Sequence, residues 1–277
     1  MSVYELKLKD NLAYKRISER DVEYIEKDIV EKIIEAWKDF KNGTVFNSAN
    51  IRLEDVCFNE KQVELVIGHT RFYDFLISNI IRQQFDGFKE FIIKSNIKEG
   101  KEIINELEHY FSSIKGNFNS FQELIRKGNM PNAIAVSVLV MDKNDNVMLV
   151  KRSSKVAIGK NLYSVTATGA AGEPDFEDDN PIKHCALREL KEELNLKLST
   201  SDLYIKAIVA GKNKMQPIAI VDAIVPFNLE KIKIEKDAAF DYKFEVDKVF
   251  ICKKDEIKNT LIQQKFTEAA VYHLESI

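Results

Sequence analysis

The hydrophobic pattern of this chain shifts near residue 130, from mainly helical spacing to mainly strands, and that shift limits what it can fold into. Before it, Val22, Ile25, Ile29, Ile33, Trp37 and Phe40 fall three or four apart, which predicts one buried helical face over residues 18–41. Ser18 and Asp21 give that helix a capping-box start, and Asn42-Gly43 gives it a stop. Residues 51–56 and 62–67 alternate and read as an antiparallel strand pair. Further helices are expected over 71–83, with Phe72, Phe75, Leu76 and Ile80 inward, and around Ile103, Leu107, Tyr110, Phe111 and Ile114. A shorter one carries Phe121, Leu124 and Ile125 and ends at Gly128.

After Gly128-Asn129-Met130-Pro131 the pattern becomes that of strands. Residues 133–141 are largely apolar and rich in β-branched side chains, 142–145 have turn chemistry, and 147–150 return, which predicts a hairpin. Later strands are expected at 162–166, 203–209, 218–225 and 248–252, with helices at 182–194 and 267–274. The fold class is therefore α/β in the broad sense, an α/β/α arrangement with a mixed sheet. A smaller α+β region, 1–129, precedes a second domain at 130–277, with no flexible linker and no internal repeat between them.

Composition removes several function classes. A length of 277 residues suits about two domains. With 41 Lys and Arg against 44 Asp and Glu, a generally basic nucleic-acid binder is disfavoured. Cys57, Cys185 and Cys252 are far apart and form no CxxC pair, so neither a zinc ribbon nor a disulfide framework is supported. Residues 1–7 lack the layout of a signal peptide, and the longest apolar stretch is about half a membrane span. The expectation is a reduced, soluble, cytoplasmic protein that binds neither membrane nor nucleic acid.

The chemistry concentrates around residues 169–196. Pro181 suits the first turn of a helix, and Asp179 or Asn180 its cap. Within that helix Leu187, Leu190 and Leu194 can face a core, while Glu189, Glu192 and Glu193 cluster on one flank. Like charges at this spacing repel by a few tenths of a kcal/mol, roughly, per pair. A hard divalent cation between them reverses the sign, and Mg²⁺ characteristically takes one or two carboxylates together with waters and phosphate oxygens. Arg188 can hold a carboxylate of the preceding acidic loop. Taken alone, the same heptapeptide also reads as a solvent-exposed amphipathic helix. The order of hairpin, basic pair Lys151-Arg152, strand, Gly-containing turn, acidic loop and helix favours the functional reading.

In that order the chain resembles the Nudix hydrolase superfamily, whose signature runs Gly, five residues, Glu, seven residues, Arg-Glu-apolar-any-Glu-Glu-any-Gly-apolar. Arg188, Glu189, Leu190, Glu192, Glu193 and Leu196 match its second half without gaps, and the resemblance covers about residues 130–277. It implies an α/β/α sandwich, Mg²⁺ or Mn²⁺ as cofactor, and hydrolysis of a nucleoside diphosphate linked to another group. By the same resemblance Glu192 and Glu193 would be metal ligands, Glu189 would bind metal or assist the attacking water, and Gly169 would offer a carbonyl ligand. The chain departs from the signature at Asn195, which replaces the final Gly, and at Asn180, which stands where the Glu is expected. The loop is expanded, so Glu173, Glu177, Asp178 or Asp179 would supply the missing carboxylate. Residues 45–53, 65–76 and Asn79, with Gly169 to Pro174, look like the leader and turn of a divergent branch that includes UDP-glucose pyrophosphatases.

Several other side chains bear on the site. Lys151, Arg152, Lys155 and Lys160 surround the sheet edge as candidate phosphate partners, with Arg152 foremost because it ends a strand. Glu245 lies just before the late strand, where related enzymes often place another carboxylate. His69, His109, His184 and His273 show no metal spacing; His184 is expected at the surface and His69 in a turn. Cys185 and Trp37 are expected to be packing residues. The expected function is metal-dependent hydrolysis of a nucleoside diphosphate derivative, with a nucleotide sugar ahead of ADP-ribose or a dinucleotide. The N-terminal half would shape the substrate pocket or an oligomer interface such as that of a homodimer. The alternative, motivated by Asn180, is an inactive Nudix-fold module that senses a nucleotide.

Overall fold

The computed structural model describes residues 3–8, 12–17, 24–60, 62–114, 116–156, 159–232, 234 and 239–277. Two strands, β1 (Val3–Lys7) and β2 (Leu12–Arg16), precede helix α1 (Lys27–Lys41) and the strands β3 (Ala49–Phe58) and β4 (Val63–Arg71). A helical stretch follows: α2 (Phe72–Phe75), a π-helical turn (Leu76–Ile81), a 3₁₀ turn (Arg82–Gln84) and α3 (Phe85–Lys94). Next come α4 (Gly100–Ser113) and α5 (Phe121–Lys127). The second half holds β5 (Ala135–Asp142), β6 (Asn146–Arg152), β7 (Tyr163–Val165), β8 (Ala167–Ala170), α6 (Glu173–Phe176) and α7 (Pro181–Leu194). It closes with β9 (Leu203–Gly211), β10 (Ile218–Val225), α8 (Tyr242–Glu245), β11 (Val246–Lys253), α9 (Ile257–Gln263) and α10 (Glu268–Glu275).

The larger sheet runs β1-β9-β10-β5-β6-β11, with β8 beside β5 and β7 beside β6. β5 and β10 pair in parallel, and the other neighbours pair antiparallel, so the sheet is mixed as expected. The β5–β6 hairpin stays paired only near its turn, at Val140↔Met148 and Met141↔Val147. Beyond that the two strands part, and β8 and β7 fill the gap.

β5 explains the layers. Val136, Val138 and Val140 join one core cluster with Ile182, Cys185, Ala186, Leu190 and Leu194 of α7. Leu139, on the opposite face, packs with Val147, Leu149, Val165, Ile257, Ala270 and Leu274. A strand covered on both faces is expected to read as a continuous apolar run, and this one does. Helices therefore lie on both sides of the sheet, an α/β/α sandwich.

The smaller sheet, β2-β4-β3, packs with α1, α3 and α4 around Trp37, whose ring meets Phe88 edge-on at 5.2 Å. It is stitched to the sandwich. The Ile51 amide donates to Ala171 (2.8 Å), the Ile134 amide to Ile51 (2.9 Å) and the Leu53 amide to Asn132 (3.0 Å). β1 forms the far edge of the larger sheet, from Val3↔Gly211 to Lys7↔Ala207.

The predicted start of the first helix, at Ser18 to Val22, lies outside the described residues, and α1 opens at Lys27. Asn42 ends it in the left-handed conformation (φ 48°), as the Asn-Gly pair predicts. The helix expected at 71–83 is followed directly by α3, so helical turns run on to Lys94 with Gly87 inside them. α9 carries no helical stripe to read, since Ile257 is its one buried residue.

His273 of α10 is fully buried against the sheet, with Nδ1 3.1 Å from Ser137 Oγ and Nε2 2.8 Å from Asp222 Oδ1. Burial pushes its imidazole below the ordinary pKa, and the Asp222 contact only partly offsets that. A histidine neutral in the fold but free to protonate when unfolded costs stability as pH falls below about 6.5. The unfolding free energy read from urea titrations should drop between about pH 7.5 and about pH 5.5, by up to roughly 1.4 kcal/mol per pH unit from this group, and His273→Gln should flatten that part of the slope.

Candidate functional site

α7 carries most of the charge in the site, and its ends explain why it starts and stops where it does. The Asn180 side chain accepts from the Lys183 amide at 3.1 Å, Pro181 fills the first turn, and Asn195 closes the helix in the left-handed conformation at φ 53°. Asn180 is thus a helix cap, and Asn195 supplies the left-handed helix end. The inward stripe Ile182, Cys185, Ala186, Leu190 and Leu194 also takes in Glu193, which is only 2% exposed. A carboxylate in a core stripe needs a partner, and Glu193 accepts the Thr168 amide of β8 at 3.1 Å.

Arg188 organises the rest. It grips Asp175 with two nitrogens, Nε to Oδ1 at 3.2 Å and Nη2 to Oδ2 at 2.9 Å, and it reaches the Ala170 carbonyl at 3.1 Å. Its remaining face donates to Glu189 Oε1 (2.8 Å) and Glu192 Oε2 (3.0 Å). Asp175 is fully buried and also accepts the Gly172 amide (2.9 Å), while His184 Nδ1 lies 2.7 Å from its Oδ1. Burial alone would raise the Asp175 pKa, but these hydrogen bonds and the Arg188 charge outweigh it and hold it low. The loop carboxylate that meets Arg188 is therefore Asp175. The four candidates for the missing carboxylate lie elsewhere: Glu173 pairs with His69 at 3.3 Å, Asp178 accepts the Asn180 amide, and Glu177 and Asp179 are exposed.

Gly169 lies against Glu189 so closely that a Cβ there would overlap the carboxylate. Opposite, Arg152 at the end of β6 donates to Thr168 Oγ1 (3.0 Å) and Glu245 Oε2 (3.3 Å). Glu189, Glu192, Glu193 and Glu245 are thus brought together with Arg188, Arg152 and Gly169. Lys151 is not. Adjacent strand residues face opposite ways, and its amine lies 3.4 Å from Asp247 on the other side of the sheet. Lys155 reaches the Lys243 carbonyl (3.3 Å), and Lys160 is exposed.

The acids oppose one another. Burial, then Glu192 and Glu245 against the relief from Arg188, raise Glu189 to about 7. Burial, Glu245 and Glu189 raise Glu193 well above the carboxylate range. Burial also raises Glu245, with Arg152 opposing. Asp241 is raised by burial and by Glu192, whose backbone carbonyl accepts its amide at 2.9 Å. All the side-chain donors are crowded oxygens, which suits a hard divalent cation. Among the described residues no three such groups stand ready to hold an ion without moving, because Glu189 and Glu192 are turned to Arg188 and Glu193 to Thr168.

Sequence reasoning missed Asp175, Asp241, Thr168 and the Asp175 contact of His184. Only Asp175 left a signal, three residues after Gly172, as in a helix-capping pattern. His69 lies in β4 rather than in a turn and stacks on Phe176 at 4.0 Å between ring centres. Cys185 and Trp37 are buried packing residues, as expected.

No family model and no curated protein matches the chain. Among solved structures it is similar to a Nudix hydrolase from Alicyclobacillus acidocaldarius, at 12% identity and TM-score 0.39 over 52% of this chain and 89% of that one. It is similar to a MutT protein from Methanosarcina mazei Go1, at 15% identity and TM-score 0.36 over 52% and 91%. A third is the Nudix domain of Shewanella oneidensis NrtR complexed with ADP ribose, at 14% identity and TM-score 0.37 over 52% and 84%.

Replacing Asp175 with Asn leaves the Arg188 charge without its principal counter-ion in a mostly buried position. The expected cost is about 3 kcal/mol of unfolding free energy, read by chemical denaturation. The equivalent change at exposed Asp179 should cost under about 0.5 kcal/mol.

Proposed function

We propose that this chain is a metal-dependent pyrophosphohydrolase of the Nudix type, acting on a nucleoside diphosphate derivative. The observation that carries the reading is the crowded carboxylate set of α7, Glu189 and Glu193 above all, held against Gly169 and Glu245. The sequence resemblance over Arg188 to Leu196 supports it independently. A nucleotide sugar is the proposed substrate class, on the resemblance of the leader segments, with release of a nucleoside monophosphate and a sugar phosphate. ADP-ribose and dinucleotides are the next substrates to test.

Glu189, Glu192 and Glu193 would hold Mg²⁺ or Mn²⁺, with Glu245 and the Gly169 carbonyl as further candidates. Bound there, the ion would neutralise phosphate charge and make a water more acidic. The residues of the chain do the rest. Arg188, tied to Asp175, fixes the side from which Glu189 and Glu192 are presented. Glu189, with a carboxyl near neutrality, can take a proton at Oε from the attacking water. Arg152, half-turned to Glu245, offers a guanidinium to a phosphate oxygen.

A panel of nucleotide sugars, ADP-ribose, dinucleotides and nucleoside triphosphates, assayed for phosphate products with Mg²⁺ or Mn²⁺, tests the reading. Glu193→Gln should lose turnover by at least about a hundredfold with its unfolding midpoint retained or raised. Full activity in that variant would remove the metal assignment. Tight binding of one compound without turnover would move the reading to a sensor.

The raised Glu189 carboxyl also predicts how metal affinity depends on pH. A carboxyl that titrates near 7 must give up its proton to accept a cation. Mn²⁺ affinity, measured by calorimetric titration, should therefore rise between about pH 6 and about pH 8, by up to roughly tenfold per unit below neutrality.

A further inference from the structure

The acidic segment 173–180 is gripped from outside by the small N-terminal sheet. Arg16, on the edge strand β2, donates from Nε to the Phe176 carbonyl at 2.7 Å and from Nη2 to the Asp178 carbonyl. Its guanidinium lies 5.9 Å over the Phe176 ring. Two residues earlier, Tyr14 donates its hydroxyl to Asn180 Oδ1 at 2.8 Å, the oxygen that also caps α7. His69 also packs on Phe176, at 4.0 Å between ring centres.

Asp175 sits inside this grip. Its backbone leads directly into the two carbonyls Arg16 holds, at 176 and 178, its own carbonyl accepts the Asp178 amide at 3.3 Å, and its carboxylate is the anchor of Arg188. Arg188 in turn holds Glu189 and Glu192. Hydrogen bonds joined by the short backbone stretch 175–178 thus link β2 to the carboxylates of α7, across about 160 residues of sequence.

We propose that Arg16 is a positioning residue for the α7 carboxylates, acting through the Phe176 and Asp178 carbonyls, Asp175 and Arg188. The N-terminal sheet is then part of the site's scaffold. The inference rests on reading the α7 carboxylates as the working site, but its central test needs neither metal nor substrate. The groups facing Asp175 from the packed elements are Arg188 and His184 on α7 and the Gly172 amide. Arg16 reaches the site through the loop backbone and does not touch these charges.

The test compares the full chain with Arg16→Ala and Arg16→Lys well below their unfolding temperatures. Solvent exchange of the Arg188 Nε–H, assigned by its loss in Arg188→Lys, is followed by nitrogen-15 NMR. Mn²⁺ affinity is measured in parallel. Arg16→Ala is expected to speed the exchange and weaken Mn²⁺ binding, each by about tenfold, with Arg16→Lys in between. An unfolding midpoint that falls while the Arg188 exchange stays at the wild-type rate would overturn the inference. If Arg16→Ala does not fold, Arg16→Lys decides: exchange at least about threefold faster supports the proposal, and an unchanged rate overturns it. A wild-type chain that binds no Mn²⁺ counts against the metal reading alone, since the exchange measurement still decides whether Arg16 positions Arg188.

Discussion

The bidentate contact between Arg188 and Asp175 organises the site. A guanidinium can satisfy five donor hydrogens only if acceptors surround it in one plane, and here the loop, β8 and α7 each contribute acceptors. The loop must fold back for Asp175 to be buried, and α7 must sit at one rotation for Arg188 to meet it. Glu189 and Glu192 then face the same side, and Gly169 must lack a side chain so that Glu189 has room. Removing either member leaves the other as a mostly buried charge, which is a larger penalty than the pair's own net worth.

This contact also shows where a sequence stops being legible. α7 was readable to within a residue because its start and stop depend on local chemistry: Asn180 and Pro181 at one end, Asn195 at the other. The three glutamates were readable because helical spacing fixes which side chains share a flank. The identity of the loop carboxylate was not. Between 173 and 179 the chain offers Glu173, Asp175, Glu177, Asp178 and Asp179, all chemically competent, and the choice is made by β2 and β4 packing on the loop from far away in sequence. Lys151 and Arg152 are a different kind of case. Strand alternation separates them onto opposite faces, so only one of an adjacent basic pair could have served the site.

The larger architecture divides in the same way. β5 was legible as a strand from its composition, and its two-sided burial follows from the same run of residues. β1 and β2 were not, since five-residue strands carry too little pattern and take their meaning from distant partners. The stretch from Phe72 to Lys94 was read as ending at residue 83, whereas its helical turns run on through α3.

The pairing of β1 with β9 has a consequence for how the molecule comes into being. Val3 faces Gly211, so on a ribosome the first strand must wait for more than two hundred residues before its partner exists. At about 5–20 residues per second that is a delay of roughly ten to forty seconds. The edge of the sheet is then closed by a pairing whose two strands lie more than two hundred residues apart, one of the late contacts that synthesis permits.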